Sequence, residues 1–256
     1  MRNAGPEPFY RGMSLRRTID RARYLLPQSA RERLYEWHPG RARRWQENPG
    51  IQRVPAGNVV LTFDDGPDED ATASVLDALQ QCDARATFFL LGSQVIAHPD
   101  LALEIVGRGH EIGLHGFGHR RHDRIDAESS RDDLARGSAA LEDVLGIRCR
   151  WYRPPYGKMS TAAADACREL GMTTVYWSAW GLDWEDVEAS RVASVTLSQI
   201  DDGAIVLLHD SALYARRASA RPTAEAIPTI AAGVQARGFS LVSLGEAIGA
   251  VDEVPA

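Results

Sequence analysis

The chain has 256 residues, 44% hydrophobic and 25% charged, the balance of an ordinary folded protein rather than a disordered one. No run reaches the roughly 18 apolar residues of a membrane-spanning helix. The net charge of −6 hides an asymmetry, because residues 1–53 are rich in arginine and the rest is acidic. A phosphate-tracking protein would place positive charge around its functional groove, so nucleic acid is excluded as a partner of the larger part. Cys82, Cys149 and Cys167 show no CxxC spacing, which argues against a disulfide scaffold or a cysteine zinc site and for a reducing compartment. The opening segment MRNAGPEPFYRGMSLRR has no apolar core of a secretory leader, so the expected location is cytoplasmic.

Residues 1–55 read as a basic, mainly helical extension. Leu15, Ile19, Ala22 and Leu26 form one helical stripe with arginines around it. Residues 12–26 are therefore expected to form an amphipathic helix. It either packs on the following domain or makes a peripheral contact with the anionic inner face of a membrane. Pro27, Pro39, Pro49 and Pro55 divide the remainder into short pieces.

Residues 56–256 read as one α/β domain. Asn58–Asp64, Ala86–Leu91, Glu111–His115, Arg150–Arg153, Thr173–Ser178, Ala204–His209 and Phe239–Leu244 are short apolar runs. Most are continuous rather than alternating, as in parallel strands covered on both faces. Helical spacing marks Ala71–Gln81, Ser129–Leu145, Ser160–Leu170 and Pro222–Arg237. Strands alternating with helices imply a parallel sheet, and the pattern fits a doubly wound sheet or a barrel equally. Either fold gathers its functional groups at the carboxyl ends of the strands.

Five constellations sit at or just after those ends. The run Thr62-Phe63-Asp64-Asp65-Gly66-Pro67 ends a strand in two carboxylates. Consecutive strand residues face opposite ways, so both acids serve one site only if the chain bends there. Gly66 and Pro67 supply a bend. In His115-Gly116-Phe117-Gly118-His119, two imidazoles spaced i, i+4 are able to chelate one cation. Asp65, His115 and His119 would then form a two-histidine, one-carboxylate site. That donor set suits Zn2+ first and Co2+, Ni2+, Fe2+ or Mn2+ after it. His122 is a competing ligand, whereas His38, His98 and His110 have no comparable setting. Arg153-Pro154-Pro155-Tyr156-Gly157 is a rigid loop able to present an arginine and a backbone N–H in fixed directions. Trp177 to Trp184 places Asp183 as the only charge among three tryptophans, which suits a sugar-binding wall or plain core packing. Leu207-Leu208-His209-Asp210 delivers a histidine to the end of a buried strand.

In order and spacing these five resemble the polysaccharide deacetylases, the NodB-homology or carbohydrate esterase family 4 enzymes, over roughly residues 57–249. The resemblance implies a distorted (β/α)7 barrel. It implies a metal-dependent hydrolase that removes N-acetyl groups from an amino sugar in a glycan, oligosaccharide or glycolipid. By matching positions, Asp64 corresponds to the catalytic base, and Asp65, His115 and His119 to the ligands of one divalent metal. Arg153 corresponds to the arginine that tethers the base. Tyr156 matches the residue whose backbone N–H helps hold the oxyanion. Asp183 matches the acid that orients the general acid His209, and Leu207 the wall of the acetyl pocket. Trp180 and Trp184 are expected to meet the sugar.

Two positions depart from the family pattern. Gly116 stands where a Ser or Thr is usual, which removes a hydroxyl beside a ligand. Trp180 stands where an Asp usually precedes Asp183. Hydrolysis of another amide or an O-acetyl ester, and a non-catalytic carbohydrate-binding relative, are the competing expectations.

Overall fold

A computed structural model describes residues 49–249 of the chain. Most of the extension, including the proposed helix at 12–26, lies outside the described residues. The described part is a curled parallel sheet wrapped by helices. Its strands are β1 (Asn58–Asp64), β2 (Ala86–Leu90), β3 (Glu111–Leu114), β4 (Trp151–Tyr152), β5 (Thr173–Thr174), β6 (Ala179–Trp180), β7 (Ile205–His209) and β8 (Ser240–Leu241). Seven of them run in the order β5-β4-β3-β2-β1-β7-β6, and β8 pairs with the start of β1. All these ladders are parallel. This is the distorted (β/α)7 barrel that the resemblance implies.

Eight segments pair where the sequence predicts seven. The extra one is β6, inside the tryptophan-rich segment, and the predicted strand at 173–178 shrinks to two residues. Ile51 and Arg53, which the sequence assigns to the extension, bridge Val175 and Ala204 respectively. Ile51 N–H donates to the Thr174 carbonyl (2.9 Å) and Val54 N–H to that of Gly203 (2.9 Å), so this stretch runs from the end of β5 to the start of β7.

The helices are α1 (Thr72–Gln81), α2 (Gly92–Ala97), α3 (Pro99–Gly107), α4 (Ala127–Leu145), α5 (Thr161–Glu169), α6 (Ala189–Gln199), α7 (Arg221–Gln235) and α8 (Leu244–Ile248). Four of these were expected; α2, α3, α6 and α8 were not. The long α4 begins where the Asp126 carboxylate accepts the Ser129 N–H, and ends at a left-handed Gly146. Between those caps Leu134 and Leu141 face the sheet.

The strand period of two sorts the residues by face. On β1, Val59, Leu61 and Phe63 join the large core beneath the helices, whereas Val60 belongs to a smaller core with Phe89, Trp151 and Ile205. Thr62 and Asp64 share the face of Val60, so polarity rises along the inner wall toward the carboxyl end. The amino end of the sheet is closed by α8. The Glu111 carboxylate accepts from Trp151 Nε1 (2.5 Å), Gly245 N–H (2.8 Å) and Thr87 Oγ1 (3.0 Å). Thr87 Oγ1 in turn accepts the Leu244 N–H (2.9 Å). Replacing Glu111 with Ala leaves these donors without their acceptor. Stability should fall by about 1–3 kcal/mol in urea unfolding, and an unchanged midpoint would show that this network does not hold the lower end.

Candidate active site

Asp64 and Asp65 end β1 with very different backbones. Asp65 has φ 81, in the left-handed region that non-glycine residues rarely adopt. That turn brings the second carboxylate into the same cleft as the first, and both are 3% exposed. The bend expected from Gly66 and Pro67 therefore begins one residue earlier.

Asp65, His115 and His119 form the one cluster of three or more potential metal ligands found among the described residues, with donor atoms within 4.8 Å of one another. Asp65 Oδ1 lies 3.4 Å from His115 Nε2 and 3.3 Å from His119 Nε2. His122 is not in this cluster; its Nε2 lies 3.5 Å from Asp133 Oδ2. His115 Nδ1 is committed to the Arg153 carbonyl (2.8 Å), which leaves Nε2 facing Asp65. The His119 ring is stacked 4.2 Å from Tyr214 and lies 4.3 Å from Tyr156.

Electrostatics favours a cation here. Burial alone would raise the Asp65 pKa, but the close approach of His115 and the neighbouring His119 and His209 outweigh it and hold the carboxyl well below its usual range. Burial, helped by His115 and His209, lowers His119 to about 4 against the pull of Asp65. An ionised carboxylate beside a neutral His119 ring suits metal binding, which requires deprotonated ligands. Asp65 Oδ1 is buried with no hydrogen-bond partner, a cost that a bound cation would remove. The three residues therefore fit a divalent ion.

Asp64 is held from behind. Arg153 is fully buried, and its Nη1 donates to Asp64 Oδ1 (2.8 Å) and to Thr62 Oγ1 (2.6 Å), its Nη2 to the Tyr176 carbonyl (2.9 Å). Its guanidinium lies 4.1 Å over the Phe89 ring. Asp64 Oδ2 faces the cluster, 3.9 Å from His115 Nε2.

On the next strand His209 is the register partner of Asp64. Its Nδ1 bonds to Asp183 Oδ1 (2.9 Å), and its N–H to Asp183 Oδ2 (2.8 Å). Thr223 Oγ1 also donates to Asp183 Oδ2 (2.8 Å), and Arg217 Nη2 lies 3.6 Å from that oxygen. Burial pulls the His209 pKa down, but Asp183 above all, then Asp65 and Asp64, raise it to about 9. Burial would raise the Asp183 pKa, but the charges of His209 and Arg217 and the hydrogen bonds from His209 and Thr223 outweigh it and lower it.

Leu207 is buried on β7 in register with Thr62 and Trp180. Trp180 is buried as well, while Trp184 is half-buried and meets the His209 ring edge-on at 5.9 Å. Tyr156 is left-handed (φ 60) and half-exposed, with its ring against His119.

Sequence reading missed several groups. Thr62 was within reach of it, because it sits two positions before Asp64 and so shares its face. Arg217 and Thr223 lie in a loop and on a helix without a motif, and only the fold brings them to Asp183. Asp210 was seen only as part of a string; burial pushes its carboxyl up to about 7, and it ties β7 to α1 by accepting from Thr72 Oγ1 (2.7 Å).

The model of the polysaccharide deacetylase family matches residues 52–175. The chain is 32% identical over 191 residues to the peptidoglycan-N-acetylglucosamine deacetylase PgdA of Listeria monocytogenes, which covers 75% of this chain and 39% of that protein. It thus spans about two fifths of that relative's length. It is also 32% identical to the chitooligosaccharide deacetylase of a Bradyrhizobium species, covering 72% of this chain and 87% of that one. Among solved structures, the Bc1960 peptidoglycan N-acetylglucosamine deacetylase superposes with a TM-score of 0.75 at 26% identity, covering 85% of this chain and all of that one.

Removing the Asp183 charge takes away the main interaction that favours a protonated His209 ring. In Asp183→Asn, the His209 pKa read by NMR should drop by about one pH unit or more. An unchanged titration would show that Asp183 does not govern His209.

Proposed function

Because the chain belongs to the polysaccharide deacetylase family, we propose that it is a metal-dependent hydrolase that removes N-acetyl groups from an acetylated amino sugar. The observation that carries this reading is the three-residue cation cluster, with Asp64 on one side and His209 at register distance from it. The named substrates of the relatives, peptidoglycan and chitooligosaccharide, are both built on N-acetylglucosamine. That unit within a glycan, oligosaccharide or glycolipid is the substrate class proposed.

Asp65, His115 and His119 would hold the metal, with Zn2+ the first fit to two imidazoles and a carboxylate. When bound, such an ion polarises a carbonyl and lowers the pKa of coordinated water, toward about 7 in zinc sites. The protein's own groups do the remainder. Arg153 occupies Asp64 Oδ1, so Oδ2 is the atom that takes the proton as water attacks. The Tyr156 backbone N–H helps hold the oxyanion, and Leu207 bounds the space for the acetyl methyl. Asp183 occupies His209 Nδ1, so Nε2–H delivers the proton to the departing nitrogen, and no amide anion need be expelled. Trp184 offers a face or edge to the sugar. Trp180, being buried, contributes as wall rather than as an exposed platform.

Base and acid act in opposite protonation states, so the rate should fall at both ends of pH. The alkaline limb belongs to His209 and should vanish in His209→Ala.

Released acetate from a chitooligosaccharide, with Zn2+ or Co2+ added, tests the proposal directly. Asp64→Asn should keep its metal and lose roughly 100-fold or more in turnover. His115→Ala should lose the metal itself by elemental analysis. Absence of acetate release from any acetylated amino sugar by metal-loaded protein would overturn the N-deacetylase reading in favour of an ester, another amide, or sugar binding alone.

A further inference from the structure

Between the two histidine ligands lie three residues, Gly116, Phe117 and Gly118, and four of the backbone groups of this loop are held from α2 and α4. The carbonyls of Gly116 and Phe117 accept from the N–H groups of Gly92 (2.9 Å) and Ser93 (3.0 Å) at the start of α2. The Gly118 amide donates to Asp133 Oδ1 (3.1 Å), and the Phe117 amide is shared between Asp133 Oδ2 (3.2 Å) and the main-chain carbonyl of Asp133 (3.2 Å). Asp133 is on α4 and is 3% exposed.

We propose that Asp133 is the positioning residue of the metal-ligand loop, its carboxylate setting where His119 stands. This rests on the reading of Asp65, His115 and His119 as metal ligands. Two steric observations support it. The helix reaches the loop because Gly137, one turn beyond Asp133 on the same face, has no side chain; a Cβ there would lie 2.8 Å from the Gly116 carbonyl carbon and 2.9 Å from Phe117 N. Gly116 has φ +99, and a Cβ on it would come within 2.6 Å of Asp133 Oδ2. A side chain at 116 and the carboxylate from α4 therefore compete for one space. In this chain the carboxylate holds it.

The two ligands depend on this anchor unequally. The His115 ring is oriented by its bond to the Arg153 carbonyl. His119 Nδ1 has no hydrogen-bond partner, so its ring is placed by the flanking tyrosines and by the backbone of Gly118, which Asp133 holds. From behind, the carboxylate is met by His122, fully buried, whose ring stands edge-on to Tyr152 at 6.3 Å. The histidine that competed as a ligand on sequence grounds thus backs the residue that positions a ligand.

The test uses Asp133→Asn, which keeps the shape and one acceptor but turns the other position into a donor facing an amide N–H. Zn2+ affinity, read by competition with a chromophoric chelator, should fall about 10–100-fold. The visible spectrum of the Co2+ form should change, while the thermal midpoint of metal-free protein stays within a few degrees of the parent, an effect of roughly the size of one lost hydrogen bond. An affinity and a Co2+ spectrum like those of the parent would overturn the proposal. Should the variant fail to fold, amide exchange in the unmutated chain decides. Protection of the Gly118 amide, which the carboxylate alone holds, equal to that of the α4 backbone supports the clasp, and exchange at open-loop rates overturns it. A parent chain that binds no Zn2+ overturns the metal reading of the cluster instead, and the Gly118 amide remains the measure of the grip of the Asp133 carboxylate.

Discussion

Asp64 and Asp65 are neighbours in sequence, buried together, and would repel each other if left alone. The site is organised by how each is met. Asp64 receives a guanidinium supplied by the protein, fully buried and held also by Thr62 and the Tyr176 carbonyl. Breaking such a buried pair by removing one partner commonly costs about 3–5 kcal/mol, so Arg153 serves the fold as well as the site. Asp65 receives no guanidinium but two imidazoles, and one of its oxygens has no hydrogen bond. The protein meets one charge with a guanidinium and the other with imidazoles alone. The single left-handed residue at the end of β1 separates the two fates.

This division works because the strands are parallel and in register. Asp64 is the register partner of His209 across the β1–β7 ladder, so a carboxylate and an imidazole come from the same height on adjacent strands. The inner face below them is apolar at Val60 and Ile205, then polar at Thr62, then charged. Each step is two residues, which is the pleat expressed as a gradient from support to chemistry.

Much of that gradient was readable beforehand. β1, β2 and β7 are five to seven residues long, and long apolar runs carry their own signal. The strands β4, β5 and β6 are two residues each, too short for any periodicity, and β6 went unseen. The motif residues were found because each stands beside a strand end. Asp183 and His209 could be named, but not the Thr223 and Arg217 that complete their surroundings, since a hydroxyl on α7 and an arginine in a loop have no pattern until the chain folds. The unpredicted α2 matters for the same reason. It is six residues long, weak as a sequence signal, and yet its first amides hold the histidine loop.

The two departures from the family pattern have different consequences once the surroundings are known. At Trp180 a charge is absent from a wall in which Asp183 already takes donors from His209, Thr223 and the neighbourhood of Arg217. A second carboxylate there would compete for the same cations, while the tryptophan, paired through its strand with Leu207, extends the apolar wall. At Gly116 a hydroxyl is absent but its space is not empty, because the Asp133 carboxylate reaches into it from α4. The first change therefore alters the character of the wall. The second replaces a local contact by one from a distant helix, and that exchange requires a glycine on each side of the contact, at 116 and at 137.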